Sequence, residues 1–340
     1  GAQEPIKYRI SDSLKETARR KLVAPPNAKL GLGPVLLPPE TTFGIELELT
    51  SASHHTPDQV AGQISHSSGK PVDVMIHDHA SARATHQSWK LMGDASIQCN
   101  IDRPNCNAFE LVSPILHGTT GLPECQAILK SLNQIRSIRV NKTMGFHVHV
   151  NVANANLPQL VKICQNFIKY ERVMDSIMPN SRRQNSYCRS NFQAVPGTTN
   201  KAKHNFLAGC QTLDDLVAAM NPQDSRYFKL NLMNLKTGRQ PTLEFRQHSA
   251  TASPEKVLNW VRLCVSFVSH SIRLKTPTSL RQNRTLDEQT NMMFQYVVKD
   301  RYLAKFYKKR QAELPTLGYD GASCCSSCSS SGSGVCKRYQ

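Results

Sequence analysis

Long apolar runs are missing from this 340-residue chain. None approaches the ~18 residues that a membrane-spanning helix needs, which excludes a helical membrane protein. The first residues carry no apolar core of the signal-peptide kind, so export by that route is not expected and a cytoplasmic location is. A GxxxxGK[ST] loop and an HExxH helix are both absent, which excludes a P-loop nucleotide site and an HExxH-type zinc site. Helix-turn-helix, zinc-finger and RNA-recognition signatures are absent too. Acid is scarce: 25 Asp and Glu stand against 42 Lys and Arg, a formal net charge of +17. That surplus favours anionic partners, whether nucleotides, carboxylate substrates or nucleic acid. Lys and Arg are spread along the chain rather than gathered in one arm, so nucleic acid is the least expected of these.

What is present reads as globular, with 39% hydrophobic and 20% charged residues. The length suffices for one large domain or two ordinary ones. Of eleven cysteines, Cys99, Cys106, Cys125, Cys164, Cys188, Cys210 and Cys264 are scattered singly. Several of these sit in helix-like apolar stretches where a free thiol acts as a small hydrophobe. Without a signal peptide, a reduced protein is expected. The other four lie in "CCSSCSSSGSGVCKRYQ", a serine- and glycine-rich stretch expected to be a flexible tail over 314–340. Its lone CxxC lacks a second pair or a nearby histidine, so it argues only weakly for zinc.

Residues 1–40 combine a charged segment, "SDSLKETARRKL", with the proline-rich connectors "APPN" and "LLPPE", and read as an arm. Strand alternation follows over 43–50, then a helix start at "TPDQVAGQI", with Thr56 as N-cap and Pro57 in the first turn. "PVDVMIHD", "SWKLMGDASI" and "NAFELVSPIL" read as strands. Helical spacing marks Leu122 to Ile138, Leu157 to Met178, about 212–220, the segment opening at Ser253 and Pro254, about 285–298 and about 300–312. "NSRRQNSYCRSN" reads as a basic loop, and "YFKLNLMNL" and "TLEFRQH" as strands joined by "KTGRQP". Strands and helices mix without a βαβ rhythm, which predicts an α+β fold with a mainly antiparallel sheet.

Three strands share an unusual polar face. In "TTFGIELELT", Phe43, Ile45, Leu47 and Leu49 alternate with Gly44, Glu46 and Glu48, so two carboxylates point the same way. In "FHVHVNV", His147, His149 and Asn151 alternate with apolar residues. In "TLEFRQH", Glu244, Arg246 and His248 do the same. A solvated strand face usually carries Thr, Lys, Ser and Gln, and a single such strand would be unremarkable. Three faces rich in Glu, His and Arg match hard-metal ligation with an arginine for phosphate. Because carboxylates outnumber histidines, magnesium or manganese fits better than zinc.

"FGIELEL", "DASI", "FELVSPIL", "GFHVHVN" and "LEFRQH", in this order, resemble the amidoligase family, relatives of glutamine synthetase and glutamate–cysteine ligase. The likeness runs over roughly 41–270. It implies a glutamine-synthetase-like curved, mainly antiparallel sheet with helices packed on its outer face, in a single catalytic domain over 41–313. The implied activity is that of an ATP-dependent ligase: ATP phosphorylates a carboxylate, and an amine displaces the phosphate to form an amide. The cofactors it implies are ATP and Mg²⁺ or Mn²⁺, two ions or more. The carboxylate and amine substrates would be small molecules or peptides, and oligomeric state is left open. By the same resemblance Glu46, Glu48, Glu110, His147 and Glu244 would ligate metal, and His149, Asn151, Arg246 and His248 would face nucleotide or phosphate. Arg246, Glu244 and Asp94 would serve catalysis. Ser96, Arg182, Arg183, Asn185 and Tyr187 would lie on the substrate side. Guanidino kinases share related architecture, so a phosphotransferase is one alternative, and a nonenzymatic anion-binding module is another.

Overall fold

The computed structural model describes residues 37, 40–76, 87–99, 103–118, 120–275 and 284–316. The arm up to residue 36 and the cysteine-rich tail from residue 317 lie outside the described residues.

Alternation of apolar and polar residues builds the sheet. β1 (Thr42–Ala52) buries Phe43, Ile45, Leu47 and Leu49 on one face, none more than 2% exposed. The same face receives Phe109 and Leu111 of β4 (Cys106–Val112), Phe146, Val148 and Val150 of β6 (Gly145–Asn151), and Leu243 and Phe245 of β8 (Thr242–Ser249). The other strands are β2 (Val72–Met75), β3 (Trp89–Gly93), β5 (Leu116–His117) and β7 (Leu230–Asn231). They form one open sheet in the order β2-β3-β4-β1-β6-β8-β7, with β5 also paired to β1. Every pairing between these strands is antiparallel except β2 with β3, as the irregular strand–helix order predicts.

Helices cover the apolar face. α1 (Pro57–Ser68) opens as expected, with Thr56 and Gln59 in a reciprocal capping box and Pro57 in the first turn. α2 (Gly121–Asn133) is shorter than its helical spacing suggests, since the chain leaves the helix at Gln134 rather than running on to Ile138. α3 (Leu157–Ser176) is capped by Asn156 and Gln159. The basic segment expected as loop carries two short helices, α4 (Asn180–Arg183) and α5 (Asn191–Ala194), followed by α6 (Asn200–Ala208) and α7 (Leu213–Met220). α8 (Met233–Lys236) interrupts the expected strand "YFKLNLMNL", because the Asn231 side chain accepts from Met233 N at 2.9 Å and turns the backbone. α9 (Pro254–Arg273) packs on α2, α3 and β6. α10 (Leu286–Met292), a π-helical turn and α11 (Arg301–Glu313) follow. Trp260 on α9 is fully buried, and truncating such a core residue costs about 3–5 kcal/mol.

One expectation about the cysteines fails. Cys99 and Cys106 are joined as a disulfide, with Cα atoms 5.5 Å apart, well within disulfide reach. They flank the connection between β3 and β4, and antiparallel pairing of those strands brings its two ends together. The free thiols of Cys125, Cys164, Cys188 and Cys264 are buried in the hydrophobic manner expected.

Candidate metal centre

The polar face of the same strands gathers acids and histidines from five chain segments. Register sets their rows: Glu48 stands opposite Glu110, Glu46 opposite His147, and His149 opposite Glu244. Glu244 in turn faces Asn231 of β7. Asp94 arrives from the turn after β3, where its Oδ1 accepts from Ser96 N and Ser96 Oγ at 2.8 and 2.7 Å. Ser96 is thus committed to shaping that turn.

Three overlapping groups result, each with ligand atoms within 4.8 Å of one another: Glu46–His149–Glu244, Glu46–Glu110–His147 and Glu48–Asp94–Glu110. Every residue that the resemblance assigns to metal falls in at least one of them, and so do His149 and Asp94. His147 Nδ1 lies 3.3 Å from both Glu46 Oε2 and Glu244 Oε1, and its Nε2 lies 3.7 Å from Glu48 Oε1. His149 Nε2 approaches Glu46 Oε1 at 3.1 Å, yet it is buried and makes no well-formed hydrogen bond. Arg246 Nη1 donates to Glu244 Oε1 at 2.5 Å. Gly145 N donates to Glu48 Oε2 at 2.7 Å.

Burial disfavours the charge on Glu46, but His149 and His147 outweigh it and hold its carboxyl well below the usual range. Burial likewise opposes Glu244, and Arg246, His149 and His147 keep it ionised. Burial also acts against His149⁺, but Glu46 raises that imidazole above its ordinary value. Glu110 goes the other way: burial, then the negative charges of Glu46, Glu48, Asp94 and Glu244, push it well above a normal carboxyl. A crowded set of buried and half-buried acids, together with a buried imidazole nitrogen lacking a hydrogen-bond partner, suits a hard divalent cation.

Several residues stand apart from this cluster. His248 lies on the opposite face, packed against Phe146 and Trp260, and donates from Nδ1 to Ser249 O at 2.7 Å. The reason is a β-bulge: Val148 pairs with Phe245 but Phe146 pairs with His248, so Arg246 and Gln247 together oppose His147. The extra residue inverts the alternation, and burial pushes His248 down to about 3. Asn151 Nδ2 donates to Thr42 Oγ1 and its Oδ1 accepts from Ala153 N, so the side chain fastens the strand end. Arg183 is spent on the carbonyls of Asp175, Met178, Pro315 and Thr316. Asn185 holds Ser181 O and Tyr187 N, while Tyr187 is exposed and meets the Tyr227 ring edge-on at 5.4 Å. Arg182 is buried and reaches the backbone of β8.

Some supporting residues escape a pattern-based reading. Asn231 Nδ2 donates to Glu244 Oε2 at 2.6 Å, and Thr242 Oγ1 and Asn234 Nδ2 lie 3.3 and 3.4 Å from His149 Nδ1. Tyr227 sits beneath Arg246, whose guanidinium carbon is 5.8 Å from the ring centre. Thr242 begins an alternating strand and could have been found by its phase with Glu244; Asn231, Asn234 and Tyr227 carry no such signal.

An open, mostly antiparallel sheet with an acid- and histidine-rich face defines a mixed α/β protein with a candidate divalent-metal centre. The chain belongs to the family described as "Putative amidoligase enzyme", which matches residues 39–268, from just before β1 into α9. No curated protein matches the chain.

Proposed function

We propose that the protein is an ATP-dependent carboxylate–amine ligase on a glutamine-synthetase-like plan, forming an amide through an acyl phosphate. The observation that carries this reading is the set of three overlapping acid and histidine groups on one sheet face, next to Arg246. Glu46, Glu48, Glu110, His147, His149, Glu244 and Asp94 would hold Mg²⁺ or Mn²⁺. Such ions supply charge neutralisation for the phosphates of ATP.

The chain's own groups do the positioning. Glu244 fixes Arg246 at Nη1, and Asn231 fixes Glu244 by its other oxygen, so the guanidinium is aimed before substrate arrives. Phosphoryl transfer is largely positioning and charge stabilisation, and a preset arginine meets that need. In the first step a substrate carboxylate oxygen attacks the γ-phosphorus and ADP leaves. In the second, the amine attacks the acyl carbon and inorganic phosphate departs, with the amine proton lost to base. A surface depression of about 500 Å³, lined among others by Asn185, Arg189, Gln193 and Phe228, adjoins the Tyr227 segment. Its lining contains Arg189 and no acid, which suits an anionic substrate, and it includes no residue of the acid and histidine cluster.

The test is an ATP-consumption screen with Mg²⁺ or Mn²⁺ across amino acids, polyamines and small peptides, followed by product mass spectrometry. The ligase reading requires ADP, phosphate and an amide product whose formation needs both a carboxylate and an amine. A phosphorylated product without an amide would point to a phosphotransferase. No ATP turnover with any pair, despite intact binding of anions, would favour a binding module.

A further inference from the structure

Arg182 lies in the segment expected to close over the substrate, yet only 4% of it is exposed and its guanidinium is turned inward. Its Nη2 donates to the carbonyl of Arg246 at 2.5 Å and its Nε to the carbonyl of Gln247 at 3.3 Å. Those are the two residues that share a single partner on β6 in the bulge of β8. One planar fork therefore holds both bulge carbonyls, a task for which five donors in fixed geometry suit arginine and a lysine ammonium does not.

The surroundings explain why the fork can reach. A Cβ on Gly145 would stand 2.9 Å from Arg182 Nη2 and 2.8 Å from His147 Nε2, so any larger residue there would displace one of those side chains. The bulge is held elsewhere too. Arg246 N donates to Lys229 O at 2.9 Å, and the Gln247 amide donates to Asp175 Oδ1. Asp175 is itself anchored by Lys229 Nζ at 2.7 Å. Arg246 keeps the phase of Glu244 and the extra residue falls beside it, so the held carbonyls of Arg246 and Gln247 fix the irregular backbone from which the Arg246 side chain departs.

We propose that Arg182 is a positioning residue that locks the β8 bulge and thereby aims Arg246 at the phosphates of a bound nucleotide. This rests on the ligase reading for what Arg246 touches, and it goes beyond it in assigning Arg182 to the bulge backbone rather than to substrate.

The experiment is a calorimetric titration of the Mg²⁺-supplemented protein with the non-hydrolysable analogue AMP-PNP. Four forms are compared: the unmodified protein, Arg182→Lys, Arg246→Ala and the double variant, with thermal melting run alongside. Arg182→Lys is expected to weaken the analogue about tenfold, and Arg246→Ala by as much or more. The double variant should be no weaker than Arg246→Ala within about twofold, because coupled residues are not additive. Additive losses, or no loss in Arg182→Lys, would overturn the inference while leaving the ligase reading in place. A loss in Arg182→Lys with none in Arg246→Ala would overturn the phosphate contact of Arg246, and the inference with it. Failure of the unmodified protein to bind AMP-PNP would overturn both. If Arg182→Lys does not fold, Arg182→Gln, which keeps one amide donor, takes its place under the same criteria.

Discussion

The two ends of the cluster solve the problem of buried charge differently. At the β6–β8 end, Glu46 and Glu244 are interleaved with His147, His149 and Arg246, and both carboxyls are held ionised. At the β3–β4 end, the group of Glu48, Asp94 and Glu110 consists of acids alone, and Glu110 is pushed well above its usual value. The first end already carries cations of the protein, His149 and Arg246, among its acids. The second resembles a site completed by a cation from outside. Glu46 belongs to two of the three groups and joins the ends.

That contrast ranks the substitutions. Glu46→Gln should have the largest effect, lowering steady-state ATP turnover by about 10³-fold with the melting temperature little changed, since it removes a charge serving two groups. Next, Asp94→Asn should weaken Mn²⁺ binding about 10–100-fold by calorimetry. Asn231→Ala should instead lower turnover about tenfold and weaken Mn²⁺ less than Asp94→Asn does, because it removes a partner of Glu244 rather than a ligand. If both variants act alike on ion affinity and turnover, the two ends are not distinct.

The smallest effect concerns His248. The imidazole is held down to about 3 in the fold, against an ordinary 6.5. Between those values the unfolded chain takes up a proton that the folded one refuses, so stability falls as pH drops. The slope contributed by this group is about 1.4 kcal/mol per pH unit below pH ~6.5. Denaturant titrations from pH 7 to 4 should show a shallower fall for His248→Gln, with ATP turnover within about twofold of normal. A large loss of turnover would return His248 to the site face.

His248 also marks how far a period-two pattern carries. The alternation in "FGIELEL", "FHVHVNV" and the first half of "LEFRQH" placed Glu46, Glu48, His147, His149, Glu244 and Arg246 on one face, and the sheet brings them together. One added residue in β8 reversed the phase beyond Arg246, and nothing local in "EFRQH" announces that insertion. Asn151 continued the pattern of β6, but at the strand's end its amide had nearer partners in Thr42 and Ala153. Arg182 and Arg183 read as loop residues on the substrate side. Backbone carbonyls, which a sequence pattern does not display, engage both, and Arg182 is buried. The Cys99–Cys106 bridge depended on β3 and β4 being neighbours, a long-range fact rather than a spacing. Helix starts were more legible because a cap is local: Thr56, Asn156 and Ser253 all accept from the backbone three residues on.

The central claim is that the strand carboxylates and histidines form a divalent-metal centre. Calorimetric Mn²⁺ titration of the unmodified protein beside Glu46→Gln tests it most directly. The account predicts two or more ions bound per chain, with at least one lost or weakened about 100-fold in the variant. Absence of Mn²⁺ binding, or binding that is the same in both proteins, would contradict it.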